Sequence, residues 1–542
     1  MPNSNFDVFE TKFAQDIYLQ KYSKDKQETW ADTCKRVVTA VTGQLLTKEE
    51  QEQIYKIIYE RKFIPGGRYL YASGRPWHQV NNCFLFRAED SSEGWADTMN
   101  KATAALMSGG GIGIDYSLLR AEGTVLKRKG GTSTGPLALM NMVNEAGRYI
   151  MQGGQRRSAI WAGLRWSHDD IKKFIHLKDW PAEIRKIKET NFNFPVPMEL
   201  TNISVDYDTE FFIAIEDNKH PKHKQAKEIW MDNCRQAFSS AEPGMAFNFM
   251  KDNENLRNAC TEVVSEDDSD KCNLGTIWMN RIESKEEMAE VTRLATKFLI
   301  CGGIYSDVPF EKIREVGTKN NRIGLGLGGI HEWLMQRGYN YEVTPELHKW
   351  LSIYEQESDG TAFITARLLG VSVPKGVRAI APTGTIGIVA ETTTGIEPLF
   401  CKAYKRRYLK GKDWVYQYVV DGSVKRMMAK GVDPNIIQDS YDLEFKQRVK
   451  FQADVQNYVD MAISSTCNLP EWGSEKNNEE TLKQNSKILL KYAKRLRGFT
   501  CYPDGSRGGQ PLTRVDLQEA LKNEGVVFEE TERECLNGVC GI

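Results

Sequence analysis

Gly111-Ile-Gly-Ile-Asp115, Ile323-Gly-Leu-Gly-Leu327 and Val377-Arg-Ala-Ile-Ala-Pro382 decide the fold. Each is a short apolar run beside a glycine- or proline-bearing turn, the length of a buried strand rather than a helix. Between such runs, from Phe63-Ile-Pro-Gly-Gly67 onward, lie stretches of helical periodicity. Strands alternating with helices argue for an α/β layer or barrel. Ahead of them, residues 6–60 read as helical and amphipathic, with Leu45, Ile54, Ile57 and Ile58 set among charges. The clearest single helix spans 136–151, opened by Thr134-Gly135-Pro136 with proline in the first turn. Leu139, Met142, Val143, Ala146, Tyr149 and Ile150 form one stripe on it, suited to the core or to a partner helix. Gly324-Leu-Gly326-Leu-Gly-Gly329 matches a dinucleotide-binding pattern, but it opens no βαβ unit and reads as a tightly packed strand and turn.

Composition narrows the function classes. With 542 residues, 40% of them hydrophobic, and 12 Trp, the chain has ample material for a large core. A net charge of −1 gives no global field for nucleic acid or an anionic membrane. No run of 18 apolar residues and no secretory leader is visible, so a cytoplasmic location is expected. Eleven cysteines in so long a chain do not make a disulfide scaffold. Cys34, Cys234, Cys301, Cys401 and Cys467 read as buried small apolar groups.

Other cysteines carry chemistry. Asn258-Ala-Cys260-Thr-Glu262 sets an amide, a thiol and a carboxylate two residues apart, which an extended segment would place on one face. Cys83 lies in the apparent strand Val80-Asn-Asn-Cys-Phe-Leu85, and Cys272 precedes Asn273-Leu-Gly-Thr-Ile277; neither has zinc-site spacing, and no metal is indicated. The chain closes with Cys535-Leu-Asn-Gly-Val-Cys540, a thiol pair on an acidic tail that starts near Gly525 and reads as disordered. A reactive thiol in the body and a terminal dithiol suggest an enzyme that consumes reducing equivalents at each turnover. Pro382-Thr-Gly-Thr-Ile386 offers glycine, two hydroxyls and free amides, which suits a phosphate as well as it suits an ordinary turn. Gln152-Gly-Gly-Gln-Arg156-Arg157 joins flexibility to two guanidiniums, a nucleotide-sensing loop or a solvated cationic turn.

In this order the motifs resemble the catalytic subunit of ribonucleotide reductase, from about Phe63 to the terminus: Cys83, Ser108-Gly-Gly-Gly-Ile-Gly113, the Gln152 loop, the 258–262 trio, Cys272 with Asn-Leu-Gly, Pro382-Thr-Gly-Thr385, then the C-terminal thiol pair. The resemblance implies a ten-stranded α/β barrel with a central finger loop, a small helical region at 1–62, the barrel at 63–524 and a flexible redox tail at 525–542. It implies that Cys260, as a thiyl, takes the 3′ hydrogen of a ribonucleoside di- or triphosphate. Glu262 would act as base, Asn258 would orient the hydroxyls, and Cys83 with Cys272 would supply two electrons. Cys535 and Cys540 would reopen the resulting disulfide and be recharged by a thioredoxin- or glutaredoxin-like reductant. Substrate phosphate would sit on Pro382, Thr383, Gly384, Thr385, Ile386, Gly110 and Gly111. A specificity effector, dNTP or ATP, would bind near Asp90, Ser91, Gln152, Gly153, Arg156 and Arg157, at a homodimer contact through helix 136–151. No ATP-binding cone is expected ahead of the barrel. The members that use a separate ferritin-like radical subunit relay the radical through two adjacent tyrosines. Here Thr500-Cys501-Tyr502 stands in that place and no Tyr-Tyr pair occurs, which favours the adenosylcobalamin-dependent class. A radical-generating partner subunit is the alternative. A silent nucleotide-binding relative or a thiol oxidoreductase is the remote one.

Overall fold

The computed structural model describes residues 8–127, 130–150, 158–191, 194–410, 413–506 and 512–529. The expected helical start resolves into three helices, α1 (Lys12–Lys21), α2 (Trp30–Thr42) and α3 (Lys48–Tyr59). Thr29 and Thr47 close reciprocal side-chain bonds with Asp32 and Glu50 at the starts of α2 and α3. Leu45 lies in the turn between them rather than on a helix.

The body is a mixed ten-stranded sheet with helices, an α/β architecture. Its strands are β1 (Phe63–Pro65), β2 (Cys83–Arg87), β3 (Gly111–Asp115), β4 (Ile160–Arg165), β5 (Thr201–Tyr207) and β6 (Gly244–Phe247), then, after the hairpin strands β7 (Leu256–Arg257) and β8 (Val264–Ser265), β9 (Asp270–Trp278) and β10 (Ile323–Gly328). Beyond them come β11 (Ala403–Lys410) and β12 (Asp413–Val420), then β13 (Thr466–Leu469), β14 (Gly498–Pro503), β15 (Leu512–Arg514) and β16 (Val527–Glu529). Strands β2 through β6 run parallel in sequence order. Strand β9 lies antiparallel to β2 on one flank and β14 antiparallel to β6 on the other. Strands β10 and β13 extend those flanks in parallel fashion. The strand expected at 377–382 does not form a ladder; it makes two single bridges, Arg378 to Leu325 and Ile380 to Ile463. Backbone bonds still hold the segment in register on both sides: Gly376 O and Val377 O accept from Ile323 N and Leu325 N and Ala379 N donates to Leu325 O, while Arg378 O and Ile380 O accept from Met461 N and Ser464 N and Ile380 N donates to Ala462 O. The Gly324–Gly329 stretch is the packed strand β10 and the start of a turn, as its sequence suggests.

Strands buried on both faces explain the near-continuous apolar runs. The hairpin β7–β8 is seated against the sheet: a Cβ on Gly113 would sit 1.8 Å from the Arg257 carbonyl oxygen, so only glycine admits that strand. A separate four-stranded sheet, β15-β11-β12-β16, stands apart from the main one. Strand β16 corrects the expected start of the disordered tail. Residues 527–529 pair with β12, and Phe528 is buried against Tyr416 and Tyr418. Apolar Val527 and Phe528 outweigh the acidic residues around them; residues 530–542 lie outside the described residues.

Two further helices bear on the sequence expectations, α4 (Ser92–Met107) and α5 (Pro136–Tyr149). The inward face of α5 differs from the expected stripe. Leu139, Met140, Val143, Asn144 and Gly147 are buried, whereas Met142 and Tyr149 are exposed, Tyr149 at 83%. Asn144 turns inward because its Oδ1 accepts from Leu200 N and Thr201 Oγ1. No helix among the described residues is long and apolar enough to cross a membrane.

Candidate active site

The 258–262 trio converges by a turn, not by strand alternation. Residues 258–261 form the tip of the β7–β8 hairpin. Asn258 O accepts from Thr261 N at 3.1 Å, and Thr261 takes a left-handed φ of 68°. That conformation is costly for a β-branched residue, and the tip is held from several sides. Asn258 Oδ1 accepts from Val263 N at 3.0 Å. Asn202 Nδ2 donates to Ala259 O at 3.3 Å, and Ala462 N donates to Glu262 O at 2.9 Å. Below the tip, Arg257 is fully buried and donates to Asn248 Oδ1 (2.6 Å), Phe247 O (3.3 Å) and Thr261 O (3.4 Å). Asn248 in turn donates to Asp206, so the buried guanidinium has a carboxylate one residue removed.

The side chains then meet. Asn258 Nδ2 donates to Cys83 Sγ at 3.0 Å. Cys83 stands directly opposite Cys272 in the antiparallel β2–β9 pair. Opposed residues in such a pair are about 4.5–5.5 Å apart at Cα, within the span a disulfide bridges. Both thiols are free, buried and protonated; burial lifts each well above the usual cysteine range, with Glu262 adding to the effect at Cys83 and Asp270 at Cys272. Burial first and Glu262 second raise Cys260 likewise. Among the described residues no cation counters these two effects, so Cys260 is held as S–H. Glu262 is itself pushed up to about 7 by burial, against which a hydrogen bond from Asn258 works only partly.

Asn258, Cys260, Glu262 and Cys83 line one cavity of about 380 Å³, whose far wall is Pro382, Thr383, Gly384, Thr385 and Ile386. Three buried oxygens on it have no partner: Glu262 Oε2, Asn82 Oδ1 and Thr383 Oγ1. Buried polar atoms normally find partners, so three on residues that line one cavity suit it to a polar ligand. Thr383 holds a left-handed φ of 49°, which turns the chain into a short helix, α6 (Gly384–Ala390). A Cβ on Gly384 would meet nothing within 4 Å, so the turn lies open to the cavity. A second cavity of about 260 Å³ shares Ala259, Cys260 and Pro382 with the first, placing Cys260 between the two. Its wall carries Asn202, Ser204, Thr500 and Tyr502.

Other expected residues fall differently. Gly111 lines the first cavity with Gly109, whereas Gly110 is against Phe84, whose ring would stand 2.2 Å from an added Cβ. Cys272 is not on the cavity wall and lies behind Cys83. Ser91 caps α4 by accepting from Gly94 N, and Asp90 pairs with Arg120, so both have local duties. Gln152, Gly153, Arg156, Arg157, Cys535 and Cys540 lie outside the described residues. Cys34, Cys234, Cys301, Cys401 and Cys467 are buried as read. Cys501 points its thiol at Ala237 O, 3.3 Å away. Sequence reasoning missed Asn82, whose place beside Cys83 was the available signal. It also missed Tyr22 and Thr276 on the cavity wall, which no local pattern announces.

The family described as ribonucleotide reductase, barrel domain, matches residues 81–200, 188–350 and 375–502. Over 536 residues the chain is 26% identical to the vitamin B12-dependent ribonucleoside-diphosphate reductase of Thermoplasma acidophilum, covering 86% of this chain and 67% of that one. A reductase of the same name from Mycobacterium tuberculosis is 25% identical over 541 residues, covering 88% and 75%. A Mycobacterium phage protein provisionally named adenosylcobalamin-dependent ribonucleoside-triphosphate reductase is 24% identical and spans 97% of this chain and 98% of its own length.

Proposed function

The chain belongs to the ribonucleotide reductase barrel-domain family, and from that premise we propose that it reduces ribonucleotides to 2′-deoxyribonucleotides by thiyl-radical chemistry dependent on adenosylcobalamin. The observation that carries this reading is the single cavity in which Cys260, Glu262, Asn258 and Cys83 meet, with one Glu262 oxygen left without a hydrogen-bond partner. We take nine strands of the sheet, β2–β6, β9, β10, β13 and β14, to close with the 377–380 segment as a ten-stave barrel, leaving β1 outside it and hairpin β7–β8 as its finger loop; two five-stave parallel halves then meet antiparallel. Residues 1–62 are the helical preface and residues past β16 the redox tail.

The second cavity suits an adenosyl group. It touches Cys260, is of fitting size, and carries hydroxyls and an amide for a ribose and a purine. When bound, adenosylcobalamin supplies the one-electron oxidation that removes the hydrogen atom of Cys260. The remaining work belongs to the chain. Cys260 takes the 3′ hydrogen atom of the substrate, and Glu262 accepts the 3′-hydroxyl proton. Asn258, already anchored to Cys83, orients the two hydroxyls. The 2′-hydroxyl then leaves as water with a proton from the Cys83/Cys272 pair. That pair gives two electrons and its second hydrogen to C2′ and closes to a disulfide, Glu262 returns the proton to the 3′ oxygen, and Cys260 returns the hydrogen atom to C3′. The phosphates of a ribonucleoside di- or triphosphate lie on 382–386, where the open Gly384 and unpartnered Thr383 hydroxyl support them. Cys535 and Cys540 reopen the disulfide and are recharged by a thioredoxin-like reductant. A dNTP or ATP effector sits near Asp90 and the 152–157 loop of a homodimer formed through α5.

The test is direct. Purified chain with adenosylcobalamin and a small dithiol is expected to remove the 2′-hydroxyl of CDP or CTP, and Cys260→Ser is expected to abolish this. Turnover that appears only on adding a radical-generating subunit would replace the cofactor assignment. Turnover retained in Cys260→Ser would end the radical reading.

A further inference from the structure

One wall of the substrate cavity belongs to neither the hairpin nor the sheet. Tyr22, the residue that ends α1, is 1% exposed and lines the same cavity as Cys260 and the 382–386 turn. The N-terminal segment explains how it gets there. Glu391, which ends α6, accepts from Glu10 N (2.9 Å), Thr11 N (2.7 Å) and Thr11 Oγ1 (2.8 Å). Arg61 donates to the same carboxylate at 2.7 Å and to Val8 O. The start of α1 is therefore latched to the end of α6, and the two helices lie against each other. At about 1.5 Å rise per residue, Thr11 to Tyr22 spans about 16 Å and Glu391 back to Gly384 about 10 Å. An antiparallel run thus carries Tyr22 to the first turn of α6 and slightly beyond. Its neighbours there, Ile64 and Ile386, share its apolar cluster and line the cavity with it.

We propose that Tyr22 is a specificity-determining residue that closes the phosphate end of the substrate cavity and limits it to a diphosphate. This rests on the phosphate placement proposed above. A third phosphate adds charge that must be met by donors, cations or water. Around Tyr22 the wall offers a buried aromatic ring and two isoleucine side chains, and the guanidinium on the same cavity, Arg68, already donates from Nη2 to Gln79 O (2.9 Å) and Ser108 O (3.1 Å). Tyr22 acts by excluding length, so its removal changes which nucleotide is bound rather than the chemistry at Cys260.

Full-length wild type, Tyr22→Phe and Tyr22→Ala are assayed with CDP and CTP. Wild type is expected to favour CDP in kcat/KM by about tenfold or more. Tyr22→Ala is expected to narrow that ratio by about tenfold through a lower KM for CTP, and Tyr22→Phe, which keeps the ring, to hold it. A ratio unchanged in Tyr22→Ala, or a wild type that favours CTP, overturns the proposal. Should Tyr22→Ala not fold, amide exchange in the wild type decides: CDP is expected to slow residues 18–24 and CMP is not, and equal effects overturn it. A wild type that binds CDP without reducing it, yet shows this protection, would sink the reductase reading alone.

Discussion

Glu262 is the residue whose chemistry is most exposed to measurement. As the proposed base it would have to be ionised, and burial pushes its pKa up to about 7. kcat/KM is therefore expected to rise with pH through about 7 and then level; a profile flat from pH 5.5 to 8.5 would remove Glu262 from the proton step. The linkage has the opposite sign. A folded-state pKa above the unfolded value near 4.5 means stability is full below pH 4.5 and is lost as pH rises through about 7. The difference amounts to about 3 kcal/mol at most. Glu262→Gln is expected to lose turnover yet melt higher than wild type at pH 8, with the gap closing by pH 4.5. Equal melting at both pH values would mean the carboxyl group is not desolvated.

At the scale of the element, the hairpin β7–β8 depends on features outside itself. Gly113→Ala drives a Cβ into the Arg257 carbonyl, backbone that cannot yield as a flexible side chain would. It is expected to cost about 2–3 kcal/mol by denaturant unfolding and to lower activity more than stability. Arg257→Met removes the guanidinium over which Thr261 O and Asn248 are arranged and leaves Asp206 buried near Asp115. A loss of about 3–5 kcal/mol by denaturant unfolding is expected from the Asn248, Phe247 and Thr261 oxygens left without a donor, since burial and Asp115 already hold the Asp206 carboxyl well above the usual range; a neutral result would show that water takes the guanidinium's place. These dependences mark where sequence reading stopped. Cys260 and Glu262 were legible because two reactive side chains stood together in the chain. Gly113, Arg257 and Asn202 were not, since their role exists only once β3, β5 and the hairpin are stacked. Alternation predicted the right convergence at 258–262 for the wrong reason, because a left-handed Thr261 cannot be read from a threonine.

For the whole molecule, the α/β class and the strand positions were visible in short apolar runs, while their order in the sheet was set by contacts hundreds of residues apart. The parallel β2–β6 run follows the chain; the return from β6 to β14 does not. Helix α5 shows the same limit. Its outward residues were assigned with its inward ones, and Leu139 is core. A charged Leu139 would unfold the helix's seat, so the clean test of the proposed homodimer is Tyr149→Glu. That variant is expected to halve the sedimenting mass and leave melting unchanged, and an unaltered mass would dismiss α5 as the contact. Removing residues 530–542 is expected to stop turnover with a protein reductant while a small dithiol still supports it. Equal loss with both would assign the tail a structural duty.

Cys83 reaches the cavity and Cys272 hides behind it. In the proposed chemistry the pair closes to a disulfide; an incoming thiolate must approach it along the S–S axis, so the Cys83 sulfur would be the one open to attack, through the space the nucleotide would have filled. Spent enzyme and loaded enzyme thus share one doorway, and product must vacate it before recharging starts. On the proposed chemistry the catalytic cycle is a queue, in which excess nucleotide is expected to slow the very reduction that readies the next turn.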